Sequence, residues 1–216
     1  DAQVLDKRLD ALAATVCGND PRTAEQRRAD ALGALAANAE RLMCRCESPD
    51  CLAAAAVPSP VVIHVVADQS TLDGRSDRPG YLMSADVLIS AELLRDIAAQ
   101  AKLRPLRHPA DAPAEPRYQP SRALADFVRA RDLTCRAPGC DRAAVNCDLD
   151  HTVPYDSGGS THASNLKCLC RFHHLIKTFW GWKDRQLQDG TVIWDLPDGR
   201  TYVTTPGSAL LFPSLL

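Results

Sequence analysis

The sequence predicts an α+β chain, and three observations carry that prediction. Apolar residues recur at helical spacing through much of the first hundred positions, five prolines crowd residues 105–120, and short β-branched runs follow beside a dense set of Cys, His and Asp. The expected organisation is a mostly helical N-terminal region at 1–103, a Pro-rich linker at 104–120, and a module at 121–216 that ends in a β-hairpin.

Taken in order, Leu5, Leu9, Leu12 and Val16 share one helical face over residues 3–16, and Asn19-Asp20-Pro21 ends the pattern. A second helix opens at a capping box formed by Thr23 and Gln26. It carries a stripe of Leu32, Leu35, Ala39 and Leu42 as far as Met43. The run VVIHVV at 61–66 reads as a buried strand, with His64 a structural side chain and not a ligand. Another helix is expected from about Ala91 to Lys102. Beyond the prolines, PSRALADFVRARD places Leu124, Phe127, Val128 and Arg131 on one helical face. TVIWDLPDGRTYVTT reads as two strands joined at Pro197-Asp198-Gly199.

The 216 residues are 45% hydrophobic and 24% charged, as in an ordinary globular protein, and no apolar run reaches membrane-spanning length. The expectation is a cytoplasmic protein without a membrane partner. A chain that opens on Asp1 is expected to be a fragment or a processed product. The formal charge of -2 is uneven. Residues 117–185 hold eleven Lys and Arg against seven Asp and no Glu, a net +4, which suits an anionic partner.

Nine cysteines fall into two groups, and the second lies among histidines, a pattern of metal sites in a reducing compartment. Cys135 and Cys140 frame a Pro-Gly turn, and Cys170 with His173 opens a helix thirty residues later. Three thiolates and one imidazole fit a closed tetrahedral zinc site. Cys147 and Cys168 are read as buried thiols, with Cys147 as a substitute ligand the alternative. Cys17, Cys44, Cys46 and Cys51 can form a second structural zinc site, with four reduced thiols as the alternative. Asp150, His151, Asn165 and His174 have no task in such a staple. Carboxylate and imidazole suit a divalent cation that also meets phosphate oxygens, and a neutral imidazole can accept a proton near pH 7.

The stretch DLDHTVPYDSGGSTHASNLKCLCRFHHLIKT resembles the HNH endonuclease signature in its zinc-stapled form, carried on a ββα-metal fold. PSRALADFVRARDLTCRAPGC, KTFWGWKDRQLQDGTVIW and the upstream DPRTAEQRRADALGALA are similar to actinobacterial 13E12 repeat proteins. The resemblance implies a metal-dependent endonuclease acting on DNA. In it His151 is the general base, Asp150 and His174 hold one divalent cation (Mg²⁺, Mn²⁺ or Ni²⁺), Asn165 fixes the loop, and Lys177 reaches a phosphate. The alternative is a non-catalytic, zinc-stabilised nucleic-acid-binding module. Two points strain the resemblance. Regular alternation points Asp150 and His151 to opposite faces unless the strand ends or bulges, and His173 and His174 are able to exchange roles.

Overall fold

The computed structural model describes residues 1–54, 62–99, 101–109 and 112–216, which fall into two compact units, Asp1–Val62 and Ile63–Leu216. The chain is α+β. The boundary lies upstream of the Pro-rich stretch, and that stretch belongs to the second unit.

In the first unit, helices α1 (Ala2–Ala13) and α2 (Ala24–Ala36) pack through Leu9, Leu12 and Ala31. The expected capping box is present: Thr23 Oγ1 accepts from Gln26 N, and Gln26 Oε1 accepts from Thr23 N. The helix stops at Ala36, well short of Met43. Asn38 takes a left-handed φ of 53°, Asn38 N donates to Leu35 O, and Ala39 N donates to Ala34 O. These bonds form a Schellman motif, which satisfies the last carbonyls and turns the chain out of the helix. Leu32 is consequently exposed, and Leu42 is buried from an irregular segment.

The second unit begins with a small antiparallel sheet in the order β1 (Val65–Val66), β2 (Gly80–Leu82), β3 (Val87–Ile89), with α3 (Gln69–Leu72) between its first two strands. Among the described residues, the buried strand expected at 61–66 is therefore reduced to two. Only Val65 and Val66 pair with β2, so Val62, Ile63 and His64 are exposed; Val61 lies outside the described residues. Helix α4 (Ala91–Ala98) is capped by Ser90, and Gln100, in the stretch expected to continue it, is not among the described residues.

Helix α5 (Arg122–Asp132) turns Leu124, Phe127, Val128 and Arg131 inward, as its spacing predicts. Strands β4 (Asp148–His151) and β5 (Leu166–Leu169) pair antiparallel, and α6 (Arg171–Phe179) follows at once, giving a ββα unit. The C-terminal hairpin, β7 (Val192–Asp195) and β8 (Thr201–Thr204), gains a third strand, β6 (Lys183–Gln186), before the short α7 (Ser208–Leu211). One core runs through Phe127, Val128, Leu166, Leu169 and Trp194. Cys168 and Cys147 are buried thiols in it. The buried Arg131 ties α5 to β5, donating to Ala163 O and Leu166 O, while Asp132 accepts from Cys168 N at 2.7 Å. A side chain at Gly190, whose φ is +81°, would strike Arg131 Nε at 2.8 Å.

The Pro-rich stretch acts as a strap on the second unit. Leu106 packs on the core, Glu115 bridges to Thr161, and Tyr155 Oη donates to Pro116 O at 2.9 Å. His162 Nε2 lies 3.2 Å from Pro109 O. Extended proline-rich backbone leaves its carbonyls free to accept such bonds.

Candidate metal centre

Cys135, Cys140, Cys170 and His173 bring their ligand atoms within 4.8 Å of one another. Cys140 Sγ lies 4.0 Å from Cys170 Sγ, and His173 Nδ1 lies 3.2 Å from Cys170 Sγ and 3.7 Å from Cys135 Sγ. A zinc–sulphur bond of about 2.3 Å gives a tetrahedral edge of roughly 3.8 Å, so this set fits one ion. Burial, together with the charges of Cys135 and Cys170, pushes the Cys140 thiol up to about 12 in the absence of a cation. A bound cation would reverse that preference. The sulphur set takes His173, whose ring leans on Trp182, and Trp182 meets the buried Trp194 edge-on. The possible exchange of His173 and His174 is resolved in this direction.

His174, on the next position of α6, faces β4. Its Nδ1 lies 2.9 Å from Asp148 Oδ2, which leaves Nε2 as the bare nitrogen, 3.5 Å from Asp150 Oδ1. Two donors of one cation stand about 3 to 4 Å apart, and an imidazole held at its other nitrogen by a carboxylate is the usual arrangement of a metal-ligating histidine. The donor pair therefore fits a divalent cation. His174 and Arg171 hold the Asp148 carboxyl below its ordinary range.

Asp150 is buried, and its other oxygen, Oδ2, lies 2.6 Å from both Lys167 Nζ and Lys177 Nζ. Asp184 of β6 completes a quartet, 2.5 Å from Lys167 and 3.2 Å from Lys177. Burial alone would raise the Asp150 carboxyl, but the two lysine charges outweigh it and keep it ionised. Lys177 also donates to His151 O at 2.6 Å. Lys177 is thus held by the two buried carboxylates, which need two cations and to which the helix delivers it.

His151 continues the regular register of β4 opposite Leu166, so the strand neither bulges nor stops before it. Its ring faces away from α6, with Nε2 2.9 Å from Thr161 Oγ1 and a stacked Tyr118 ring 5.2 Å away. Only 6% of the residue is exposed, and desolvation lowers its pKa from the ordinary 6.5. Asn165 pins the intervening loop: Oδ1 accepts from Val153 N, and Nδ2 donates to Val153 O and Ser160 O. Gly159 is required in that loop, since a Cβ there would lie 1.8 Å from Val153 O.

Asp148, Lys167, Asp184, Thr161 and Tyr118 were not foreseen. Two of them had signals. Asp148 stands two residues before Asp150, hence on the same strand face, and Lys167 lies directly across the ladder from Asp150. Asp184 had none, because β6 alternates among charged residues.

The first cysteine group also converges. The sulphurs of Cys17, Cys44, Cys46 and Cys51 lie within 4.8 Å of one another, and both clusters could hold a metal such as zinc.

A family model described as a domain of unknown function (DUF222) matches residues 1–132. The chain belongs to the DUF222 family. The match ends at the last residue of α5, so the ββα unit and its sulphur set follow it. The chain is 50% identical over 240 residues to uncharacterized protein Rv3776 of Mycobacterium tuberculosis, covering 99% of this chain and 46% of that protein. It is 48% identical over 255 residues to uncharacterized protein Rv2100 of the same organism, again covering 99% and 46%. The chain thus spans about half the length of these curated relatives. No solved structure matches it. No helix among the described residues is long and apolar enough to cross a membrane.

Proposed function

We propose that the second unit is an HNH-type, metal-dependent endonuclease module that hydrolyses DNA phosphodiester bonds, related to the 13E12 repeat proteins. The observation that carries this reading is the pair Asp150 Oδ1 and His174 Nε2, 3.5 Å apart on a ββα unit whose helix starts at a sulphur cluster. A divalent cation held there would supply charge neutralisation at a phosphate oxygen. Asp148 fixes the His174 tautomer, and the two lysines keep Asp150 ionised. Thr161 Oγ1 donates toward Tyr118 O at 3.4 Å and so accepts a hydrogen bond from His151 Nε2, leaving Nδ1 of a neutral ring as the proposed base; the unbulged register sets that ring on the strand face opposite Asp150, so it would have to reach the attacking water around the end of β4. Of the eleven cations in 117–185, Arg117, Arg122, Arg142, Arg171, Lys183 and Arg185 are exposed, against Asp141 and Asp156 among the acids. That surface suits a polyanion.

A zinc-stabilised binding module without catalysis is the second reading, favoured by the cover that Tyr118 places on His151. Supercoiled plasmid with Mg²⁺, Mn²⁺ or Ni²⁺, and an EDTA control, separates the two. Nicking by the wild type should fall about a hundredfold or more in His151→Ala, with folding and DNA binding retained. His174→Ala should recover in part at high Mn²⁺. Equal nicking by wild type and His151→Ala would discard the assignment of the base. Salt-sensitive binding without nicking under any metal would leave the binding module.

A further inference from the structure

We infer that Cys17, Cys44, Cys46 and Cys51 bind a second structural zinc ion, and that this ion is what folds the first unit. All four are free thiols whose sulphurs share one small volume, with Cys17 Sγ 3.4 Å from Cys44 Sγ. They come from two parts of the chain. Cys17 follows α1, and the other three stand on the irregular CRCESPDC segment after α2.

The frame around them is built to deliver sulphur. Asp20, fully buried in its side chain, receives Arg22 through Nε at 2.9 Å and Nη2 at 2.7 Å, and it also accepts from Arg45 N at 2.9 Å. Arg22 Nη2 donates to Met43 O, and Cys44 N donates to Ala53 O at 2.7 Å. Positions 43–45 and the start of CRCESPDC are thereby fixed beside Cys17 by polar bonds, with Leu42 the buried apolar anchor next to them. Four cysteine sulphurs gathered within 4.8 Å of one another match the donor set of a closed tetrahedral zinc site.

The core supplies the second argument. Among the described residues of the first unit, Leu9, Leu12 and Ala31 form the buried apolar cluster, with Ala13, Ala34 and Leu35 packed against it, a small core for a unit of this length. Units so poor in buried apolar surface usually depend on a metal or cross-links. A zinc ion here would join Cys17 to the segment after α2 and close both helices onto that small core.

The test uses the full chain, purified under reducing conditions with zinc present. Elemental analysis should find two zinc ions per chain, falling to one in Cys46→Ser and to one in Cys140→Ser. Native alkylation mapped by mass spectrometry reads each cysteine separately, so the result does not depend on whether Cys46→Ser folds. Cys17, Cys44, Cys46 and Cys51 should resist alkylation until a chelator is added, and should then react together. One zinc per chain with these four thiols open to alkylation would overturn the inference, as would their recovery as disulfides from reduced, zinc-supplied protein.

Discussion

Around Cys17, Cys44, Cys46 and Cys51 the buried apolar side chains include Leu9, Leu12, Ala31 and Leu42, whereas around Cys135, Cys140, Cys170 and His173 the core extends from Val66 through Phe127 and Leu166 to Trp194 and Leu215. Each unit also buries an ionic group: Asp20 with Arg22 in the first, Asp150, Lys167, Lys177 and Asp184 in the second. The same two devices do different jobs. With few buried apolar residues among those described, the first unit uses its ion pair to place cysteines, and under the inference drawn above it depends on the metal for its fold. With a full core, the second unit can devote its charges to holding one carboxylate beside His174. Buried charges rarely add net stability, so a chain tolerates them where they fix a position that matters.

The largest effect expected from this contrast is on metal removal. A chelator should abolish hydrogen-exchange protection across α1 and α2, while amides of α5, β5 and β7 stay protected, because the apolar core there persists. Loss of protection in both units together would break the comparison, and so would retention in both.

Next in size is the quartet. Lys167→Met leaves Asp150 and Asp184 to share Lys177, and removal of one partner from a buried ionic group costs about 3–5 kcal/mol. Denaturant titration of the second unit reads that loss. Adding Asp184→Leu should restore part of it, since an apolar pair of similar volume replaces a broken ionic one. A silent Lys167→Met would mean that the quartet is not held as described.

A smaller effect concerns His151 and pH. Its ring works as a base only when neutral, and burial lowers its pKa from 6.5. Nicking should therefore persist below pH 6.5 and then fall about tenfold per unit once pH drops under the folded value. The stability sign agrees: between 6.5 and the lower folded value the unfolded chain binds the proton first, so stability is lost as pH falls. An acid limb above 6.5 would contradict the burial of this ring.

The smallest effect expected is that of Tyr118→Ala. Uncovering the stacked face of His151 should move its pKa upward toward 6.5, as read by NMR titration of the imidazole. An unchanged value would show that the Tyr118 ring is not the source of the depression.

Local chemistry made much of this legible in advance. The capping box at Thr23, the helical face of Leu124, Phe127 and Val128, the turn at Pro197-Asp198-Gly199 and the four ligands around Cys135 all depend on residues near in sequence or on cysteines too specific to overlook. Errors fell where an alternative local structure won. Asn38 ended α2 early because a left-handed residue could satisfy the last carbonyls, and the prolines formed a strap because extended backbone found acceptors' partners on the loop before β5.

The sequence by itself determined which side chains can bind metal, since sulphur and imidazole carry that capacity wherever they lie. Only the tertiary structure decided their pairing. It gave His173 to the sulphurs and His174 to Asp150, turned Lys177 inward, and brought Asp184 from β6 to complete the quartet. The physical reason is that a buried charge is stable only beside its counter-charge, and those partners are chosen by strand register and helix packing across distances that no local pattern encodes.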